Sequence, residues 1–441
     1  MKPRERQDSG QTDIFRSRLD QIINMKHAIV RMAQTIDWAY LEDGFGSVYA
    51  DSAAGGQPPL PTRLMAGLTI LKHMENLSDE DLCERWVRDP YYQYFCGEEF
   101  FQHEVPFDRS SLTRWRQRMG EERLGRLLEE SLRIAHTEGA LATRDLQRVV
   151  VDTTVQPKAI AHPTDHRLLW KALDKLTKLA KREGVVLRQS YQRVSKRACI
   201  MAGRYIHAKQ FKRARREIKF LRTRLGRVIR DIGRKIDGDS GLEARFHDLL
   251  MLASRVKTQD HHQRGPKVYA LHAPEVECIG KGKARAPYEF GCKVSLVTPV
   301  TKPKGGQFVL HAEAHHGNPF DGHTLASVLA NLEKRTGIPL DRGHVDKGYR
   351  GHGYANKFKI WITGQARRVT ASIKREMKRR AAIEPIIGHV KNEHRMDRNY
   401  LHHRSGDRIN ALLAAIGFNF HLLLRWFAAF LRLFWIQSLL A

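Results

Sequence analysis

The chain has 441 residues, of which 41% are hydrophobic, and a formal net charge of +28 at pH 7. This length predicts about three domains, and the hydrophobic content excludes a chain that is disordered throughout. The charge indicates a polyanionic partner, with nucleic acid favoured over a membrane surface. The five cysteines are scattered and form no CxxC pair. They argue against a disulfide framework or a zinc ribbon and favour a reducing cytoplasm.

Residues 1–140 are predicted to form a helical N-terminal domain that binds DNA ends. Within it, Ser78 is followed by three acids and is a good N-cap for a helix. The short turn before it permits a helix-turn-helix and, equally, an ordinary helical hairpin. A later helix carries Arg114, Arg116 and Arg118 in its first turns, which predicts contacts with DNA. A solvated basic face is the alternative for these arginines.

The first part of the predicted catalytic core, residues 141–165, contains a nearly continuous apolar run that ends in Asp152. Such a run is typical of a strand buried on both faces. Residues 166–262 are predicted to form a basic helical insertion. Within it, residues 166–236 hold 23 Lys or Arg and 4 Asp or Glu. Because this charge would repel itself on a compact unit, it favours a polyanionic partner over a merely solvated face.

Residues 263–408 are predicted to complete the core. Strand-like stretches at 288–297 and 308–312 precede a helix at about 323–335, and a short strand leads to Asp346. Strands, a helical insertion, more strands and then helices predict an α/β fold.

The apolar stretch 409–441 is interrupted by His421, Arg425 and Arg432. No uncharged run therefore reaches the roughly 18 residues that a membrane-spanning helix needs. We predict a buried or dimer-forming helix here, with an interfacial membrane helix as the alternative.

Three acids that are far apart in the chain are candidate metal ligands: Asp152, Asp346 and Glu384. Magnesium is held by a few carboxylates, and a pair of such ions can neutralise a phosphate and activate an attacking oxygen. Without a cation, clustered acids would repel one another. Each acid also has a structural interpretation: a turn at a strand end for the two aspartates, and a surface ion pair for Glu384.

Helical geometry supports the third acid. At about 100° per residue, Lys391 lies on the same helix face as Glu384, and Arg380 lies one turn before it. This arrangement suits a metal ligand flanked by side chains that clamp phosphates. Pro385 is expected to start or kink the helix.

These segments resemble the DDE transposases of bacterial insertion sequences, in the insertion-sequence-five group of the insertion-sequence-four-like class. The matching segments follow the family's order and include VVVDTT at 149–154, YEFGCKVSLVT at 288–298, HHGNPFDGHTL at 315–325, HVDKGYRGH at 344–352 and IEPIIGHVKNEHRMDRNYL at 383–401. The resemblance implies a ribonuclease-H-like core interrupted by an insertion. It also implies that Asp152, Asp346 and Glu384 bind Mg²⁺, for which Mn²⁺ can substitute.

The larger class carries a tyrosine, arginine, glutamate and lysine signature around its last acid. Arg380, Glu384 and Lys391 match its spacing, while Met377 stands at the tyrosine position. The implied activity is strand cleavage at the element's ends followed by transfer of the 3′-hydroxyl into target DNA. The implied partners are terminal inverted repeats, target DNA and a second copy of the chain in a homodimer.

Three alternatives remain at this point. The first is a nuclease of the same fold that cuts without joining, and the second is an inactive DNA-binding or regulatory protein. The third is a zinc enzyme, suggested by the histidine pairs at 261–262, 315–316 and 402–403, although their spacing matches no common ligand pattern. We expect a cytoplasmic protein that associates with the nucleoid when bound to DNA and has no membrane partner.

Overall fold

The computed structural model describes residues 17–46, 48, 59–260, 263, 265–280, 287–356 and 359–440, with side chains as far as Ala429. The chain divides into two compact units. The larger unit consists of Met1–Pro157 and Cys292–Ala441, and the smaller unit is Lys158–Gly291. The predicted insertion lies inside the smaller unit, which extends beyond it at both ends. The predicted N-terminal domain and the C-terminal helix belong to the larger unit together with the acids.

The helices before the first strand are α1 (Leu19–Ile22), α2 (Ala28–Thr35), α3 (Trp38–Gly46), α4 (Thr62–Met74), α5 (Asp79–Arg88), α6 (Pro90–Phe95), α7 (Ser110–Thr137) and α8 (Thr143–Gln147). The smaller unit contains α9 (Asp165–Arg182), α10 (Gln192–His207), α11 (Phe211–Ile236) and α12 (Ser240–Thr258). The remaining helices are α13 (Asp321–Thr336), α14 (Ala371–Arg379), α15 (Ile383–Glu393) and α16 (His403–Leu440).

The strands are β1 (Arg148–Pro157), β2 (Glu277–Gly280), β3 (Tyr288–Pro299), β4 (His311–His315), β5 (Arg342–Val345) and β6 (Ile360–Ile362). In the larger unit, β3, β1, β5 and β6 are neighbours in that order, and β4 pairs with β3. The β1–β5 and β5–β6 pairs are parallel, and the β3–β4 pair is antiparallel. The fold is therefore mixed α/β, as the sequence predicts.

The central strand β1 contains the predicted apolar run but continues beyond Asp152 to Pro157, so Asp152 lies within the strand and not at its end. Val149, Val150 and Val151 are all buried, as expected for β-branched residues in a strand that is covered on both faces. The strand predicted at 308–312 begins three residues later, at His311. The cause is a contact with α16: the side chain of Asn419 hydrogen-bonds both the N–H and the C=O of Val309, so this residue pairs with a helix and not with β3.

Helix α5 begins where the sequence predicts, whereas α7 begins at Ser110 without a side-chain cap. Ser78 caps α5, since its side chain accepts a hydrogen bond from Asp81 N–H and the Asp81 carboxylate accepts one from Ser78 N–H. Gly120 interrupts α7 with φ 66°, a value that glycine adopts without strain. The basic start of α7 is thus separated by a kink from its longer, largely buried remainder.

The C-terminal helix α16 runs through the core of the larger unit, where it packs against α7, α4, α2 and β4. Its segment His403–Ala429 is long and apolar enough to cross a membrane, but 72% of its most apolar window is buried in the protein. As far as Ala429, the prediction of a buried helix is confirmed. Gly417 lets α16 approach α4 closely, because a Cβ there would lie 2.5 Å from the His73 backbone.

The smaller unit has its own apolar core. Helix α11 has an apolar seam at heptad spacing: Leu221, Leu225, Val228 and Ile232 are buried with residues of α9 and α12. Helix α10, for which the sequence predicts no separate element, packs against α11 and α9. The hairpin that ends the unit pairs β2 antiparallel with residues 288–291 of β3.

Candidate functional site

Two neighbouring parallel strands place the first two acids side by side. The β1–β5 register aligns Val149 with Gly343 and Val150 with His344. Continued for two residues, the same register sets Asp152 level with Asp346. Neighbouring strands lie about 4.8 Å apart, and residues at equivalent positions point to the same face. The two carboxylates are therefore neighbours, although 193 residues separate them in the chain.

The surroundings of Asp152 oppose its negative charge. Burial raises the pKa of Asp152 to about 6, Arg380 works against this shift, and the charge of Asp346 reinforces it. Asp346 is anchored differently, because its Oδ1 accepts a hydrogen bond of 2.7 Å from Gly348 N–H. A Cβ on Gly348 would lie 2.9 Å from that oxygen, so the turn needs glycine. The pair is thus held close together, with more negative charge than its surroundings compensate.

Arg380 connects the third acid to this pair. Its Nη1 lies 3.2 Å from Asp152 Oδ2, and its Nη2 lies 3.5 Å from Glu384 Oε1. One guanidinium therefore spans both carboxylates. The Glu384 side chain is 64% exposed and faces solvent beside the buried Asp152. The structure thus brings Asp152, Asp346 and Glu384 into one site.

The predicted helix around Glu384 begins at Ile383, directly after a 3-10 turn at Arg380–Ala382. Pro385 falls in the first turn of α15, where its missing N–H leaves no hydrogen bond unmade. The chain stays helical from Arg380 onward, which is why Arg380 and Glu384 meet across one turn. Lys391 follows two turns after Glu384 on the same face and is half-buried.

A fourth acid, which the sequence analysis did not assign, borders the site. Asp321 begins α13, and a Cβ on Gly348 would lie 3.3 Å from its Oδ2. Lys293 of β3 neutralises it, with Nζ 2.8 Å from Asp321 Oδ1. Tyr349 is buried among these acids: burial raises the pKa of its hydroxyl, and the charges of Asp152 and Asp321 raise it further. The sequence signal was an acid at the start of a helix within the motif HHGNPFDGHTL.

The basic start of α7 needs one correction. Arg114 and Arg118 are exposed, as a DNA-binding role requires. Arg116 is only 4% exposed and forms a two-pronged ion pair with Asp79, with N–O distances of 2.9 and 2.7 Å. Lys72 binds the same carboxylate at 2.6 Å. Arg116 therefore joins α7 to α5 and is not available to DNA, because the residue lies on the inward face of its helix.

The histidine pairs have different surroundings. His315 is hydrogen-bonded to Ser295, and His316 Nε2 lies 3.1 Å from Asp407 Oδ2. His402 and His403 are exposed, and residues 261–262 lie outside the described part of the chain.

The ligand atoms of His316, Asp407 and Cys292 all lie within 4.8 Å of one another, a spacing that could hold a metal ion. Asn399 donates to Asp407 Oδ1, and Gln156 Nε2 lies 3.6 Å from Cys292 Sγ. These contacts also fit a buried hydrogen-bond network that needs no ion.

Comparison with known proteins gives two matches. Residues 17–118 match the family described as Transposase domain (DUF772). A protein of Rhizobium meliloti, described as uncharacterized protein ORF8 in nfe locus, is 53% identical over 211 residues, which are 48% of this chain and 100% of that protein. No solved structure matches. The match to the transposase domain covers the helices from α1 to the basic start of α7. The chain therefore belongs to the same family as the ORF8 protein, and with its transposase domain it has a transposition-related function.

Proposed function

We propose that the chain is a DDE transposase of the insertion-sequence-five group with a ribonuclease-H-like core. It would cut DNA at the ends of its element and transfer the freed 3′-hydroxyl into target DNA. The observation that carries the proposal is the meeting of Asp152, Asp346 and Glu384, which lie on three separate elements. A purely structural role would not require three acids to lie in one site of so basic a protein.

The residues of the site fit Mg²⁺. The ligands on offer are carboxylate oxygens, which magnesium prefers. Burial, and after it the charge of Asp346, disfavours the ionised form of Asp152, and a divalent cation at the site would offset both effects. Asp152 and Asp346 would hold the ion, Glu384 would complete its ligands, and Mn²⁺ would substitute. When bound, the ion would neutralise the phosphate and activate the attacking oxygen.

The chain's own side chains would position the DNA. Arg380 and Lys391 lie on either side of Glu384 and would hold phosphate oxygens. In the first step, a water oxygen attacks the phosphorus, the bond to the 3′ oxygen breaks, and a 3′-hydroxyl and a 5′-phosphate result. In the second step, that 3′-hydroxyl attacks a phosphate of the target, releasing a 3′-hydroxyl there. Both steps are accelerated mainly by position and charge.

Other parts of the chain would bind the rest of the DNA. Arg114 and Arg118 are exposed on the basic start of α7 and would contact the terminal inverted repeats. We propose a homodimer as the active complex, since cutting and joining both ends calls for two sites. The protein would work in the cytoplasm, on the nucleoid.

The test is cleavage of labelled DNA that carries the inverted repeat flanking the gene, with Mg²⁺ or with EDTA. The expected result is Mg²⁺-dependent nicking that Asp152→Asn abolishes while DNA binding stays nearly intact. Loss of both activities in the variant would point to a folding role for Asp152. Pre-cleaved ends supplied with target DNA separate the alternatives, because a simple nuclease would not join them. A regulatory protein would bind equally well in EDTA and never cut.

A further inference from the structure

A long groove runs along one side of the smaller unit. It encloses about 1050 Å³ and follows α11, with walls from residues 162–166, from the end of α10 and from the end of α12. The α11 residues that line it include positions 211, 215, 219, 222, 226 and 230. Steps of three and four keep them on one helix face. The 19 residue steps from position 211 to position 230, at a rise of about 1.5 Å each, span ~28 Å. The groove is therefore long enough to hold several nucleotides.

The charge of the groove suits a polyanion. Arg215, Lys219, Arg222, Arg230 and Lys257 line it, against two acids, Asp165 and Asp260. The opposite face of α11 holds the apolar seam in the core, so all of these cations except Lys257, which belongs to α12, come from the groove face of α11.

The groove also has an apolar end, which a site for phosphates alone would not need. Phe211 is 55% exposed and Ile206 is 37% exposed, and both line the groove beside Ile218. A large exposed aromatic side chain next to cations is what proteins use to stack unpaired bases, whose faces are hidden in a duplex. The combination therefore favours a single strand over a double helix.

Two buried polar atoms in the wall have no hydrogen-bond partner among the residues that the structure describes. They are Thr164 Oγ1 and His166 Nδ1, and both residues line the groove. His166 is only 6% exposed. Buried polar groups are nearly always satisfied, so an unmet pair at the edge of a groove indicates a ligand or water that supplies the missing bonds. A nucleotide, with its sugar, base and phosphate oxygens, could supply them.

We infer that this groove binds single-stranded DNA, with Phe211 stacking on a base and the exposed Arg215 and Lys219 contacting the backbone. The assignment rests on the proposed function, in which cleavage frees strand ends that must be held until joining. It adds a third DNA contact, separate in sequence from the acids and from α7.

The test uses the full-length protein in EDTA and measures fluorescence anisotropy with a labelled oligo-dT strand and with a duplex of equal length. Phe211→Ala is expected to weaken binding of the strand about 5- to 150-fold, the effect of one lost base stack, with little change for the duplex. The matched control is Met251→Ala, since Met251 is 56% exposed in the same unit but lies outside the groove. Thermal melts of each variant show whether the unit still folds.

A second pair of variants tests the charges. The double variant Arg215→Ala/Lys219→Ala is expected to make the negative slope of log affinity against log salt shallower by about 1.4, at about 0.7 per lost phosphate contact. The control Arg216→Ala/Arg227→Ala removes two exposed charges from the same helix outside the groove, and its slope should change less.

Equal strand binding by Phe211→Ala and Met251→Ala would overturn the inference. An equal loss of duplex and strand binding in Phe211→Ala, or tighter binding of oligo-U than of oligo-dT, would also overturn it. Because binding is measured in EDTA, the outcome is independent of cleavage. A wild-type protein that binds the strand but never cuts would refute the proposed function and leave the groove assignment standing.

Discussion

Burial and the charge of Asp346 both disfavour the ionised form of Asp152, and together they outweigh the opposing effect of Arg380. Its folded-state pKa of about 6 is above the value of 3.8 that is usual for an aspartate. The folded protein therefore binds a proton at Asp152 more tightly than the unfolded chain does. This tighter binding adds stability at low pH, and the added stability is lost as the pH rises through 6. A carboxylate held in this way destabilises the metal-free protein and, for the same reason, is ready for a cation.

Asp152→Asn should therefore stabilise the metal-free protein at pH 8. A shift of this size corresponds to about 1–3 kcal/mol in the free energy of unfolding. The gain should shrink as the pH falls through 6 towards 4, since the wild-type carboxyl is then protonated in the folded state. Urea unfolding in EDTA at several pH values measures both. Excess Mg²⁺ should raise the melting temperature of the wild type and not of the variant. A gain that is the same at every pH would contradict this account.

The ion pair beneath the basic start of α7 gives the opposite pH dependence. Hydrogen bonds and charges from Arg116 and Lys72 hold the pKa of Asp79 well below its usual range despite burial. Asp79→Ala would leave two cations without their acid, and it should lower the free energy of unfolding at pH 7 by about 3–5 kcal/mol. The wild type should lose this advantage as the pH falls below about 4. Urea unfolding across that range measures it.

Arg114→Ala is the matched control for the ion pair. Arg114 is exposed on the same helix, so its loss should change stability by less than about 0.5 kcal/mol and weaken DNA binding instead. Equal destabilisation by Asp79→Ala and Arg114→Ala would show that the buried pair is not what joins α7 to α5.

For single residues, the sequence predicted the element that carries a side chain better than the contacts that the side chain makes. The position of Asp346 directly after a strand and the helical spacing of Glu384 and Lys391 could be predicted from local patterns. The position of Asp152 could not, because β1 continues through polar residues to Pro157. The inward position of Arg116 could not, because a helix with arginines at alternate positions does not reveal which of them meets a distant acid. The same limit hid the fourth acid, Asp321, which reaches the site only through the packing of α13.

At the scale of elements, the crossing of α4 and α16 holds the larger unit together. A Cβ at Gly417 would meet the His73 carbonyl carbon and oxygen, both at 2.5 Å, and backbone atoms cannot swing away as a side chain can. Secondary-structure periodicity predicts α16 as a buried helix but not the helix it crosses. Likewise, the late start of β4 depends on Asn419, more than a hundred residues further along the chain.

Gly417→Ala should therefore destabilise the protein by about 1–3 kcal/mol, the usual effect of overpacking. The control is Gly388→Ala in α15, where an added Cβ meets nothing within 4 Å. There alanine should be neutral or stabilise by about 0.5–1 kcal/mol, because glycine is a poor helix former. Thermal and urea unfolding of the two variants measure the difference. Equal effects would show that α16 can shift away from α4 without loss.

At the scale of the whole molecule, charge is unevenly distributed along the chain. Residues 166–236, which hold 23 Lys or Arg against 4 acids, contribute most of the net +28. The composition could predict this concentration and a polyanionic partner. It could not predict that α9 to α12 would form a unit with its own core and a groove, because the seam residues of α11 are compatible with several helical partners.

DNA binding should accordingly depend steeply on salt. A protein that makes 6–10 phosphate contacts loses about 10³–10⁵ in affinity between 50 and 200 mM salt. We expect a loss in that range for duplex DNA, measured by anisotropy in EDTA, and the same slope for Asp152→Asn. Binding that barely changes with salt would mean that the positive charge is not what holds the DNA.

The guanidinium between Asp152 and Glu384 has a consequence for the order of events. It is a counter-ion supplied by the chain itself, so the two carboxylates can come together on folding without a metal. In the proposed function, a divalent ion at this site would compete with Arg380 for the same carboxylate oxygens, and its binding would free that arginine to contact a phosphate. Binding of the ion and contact between Arg380 and the DNA would then be coupled events.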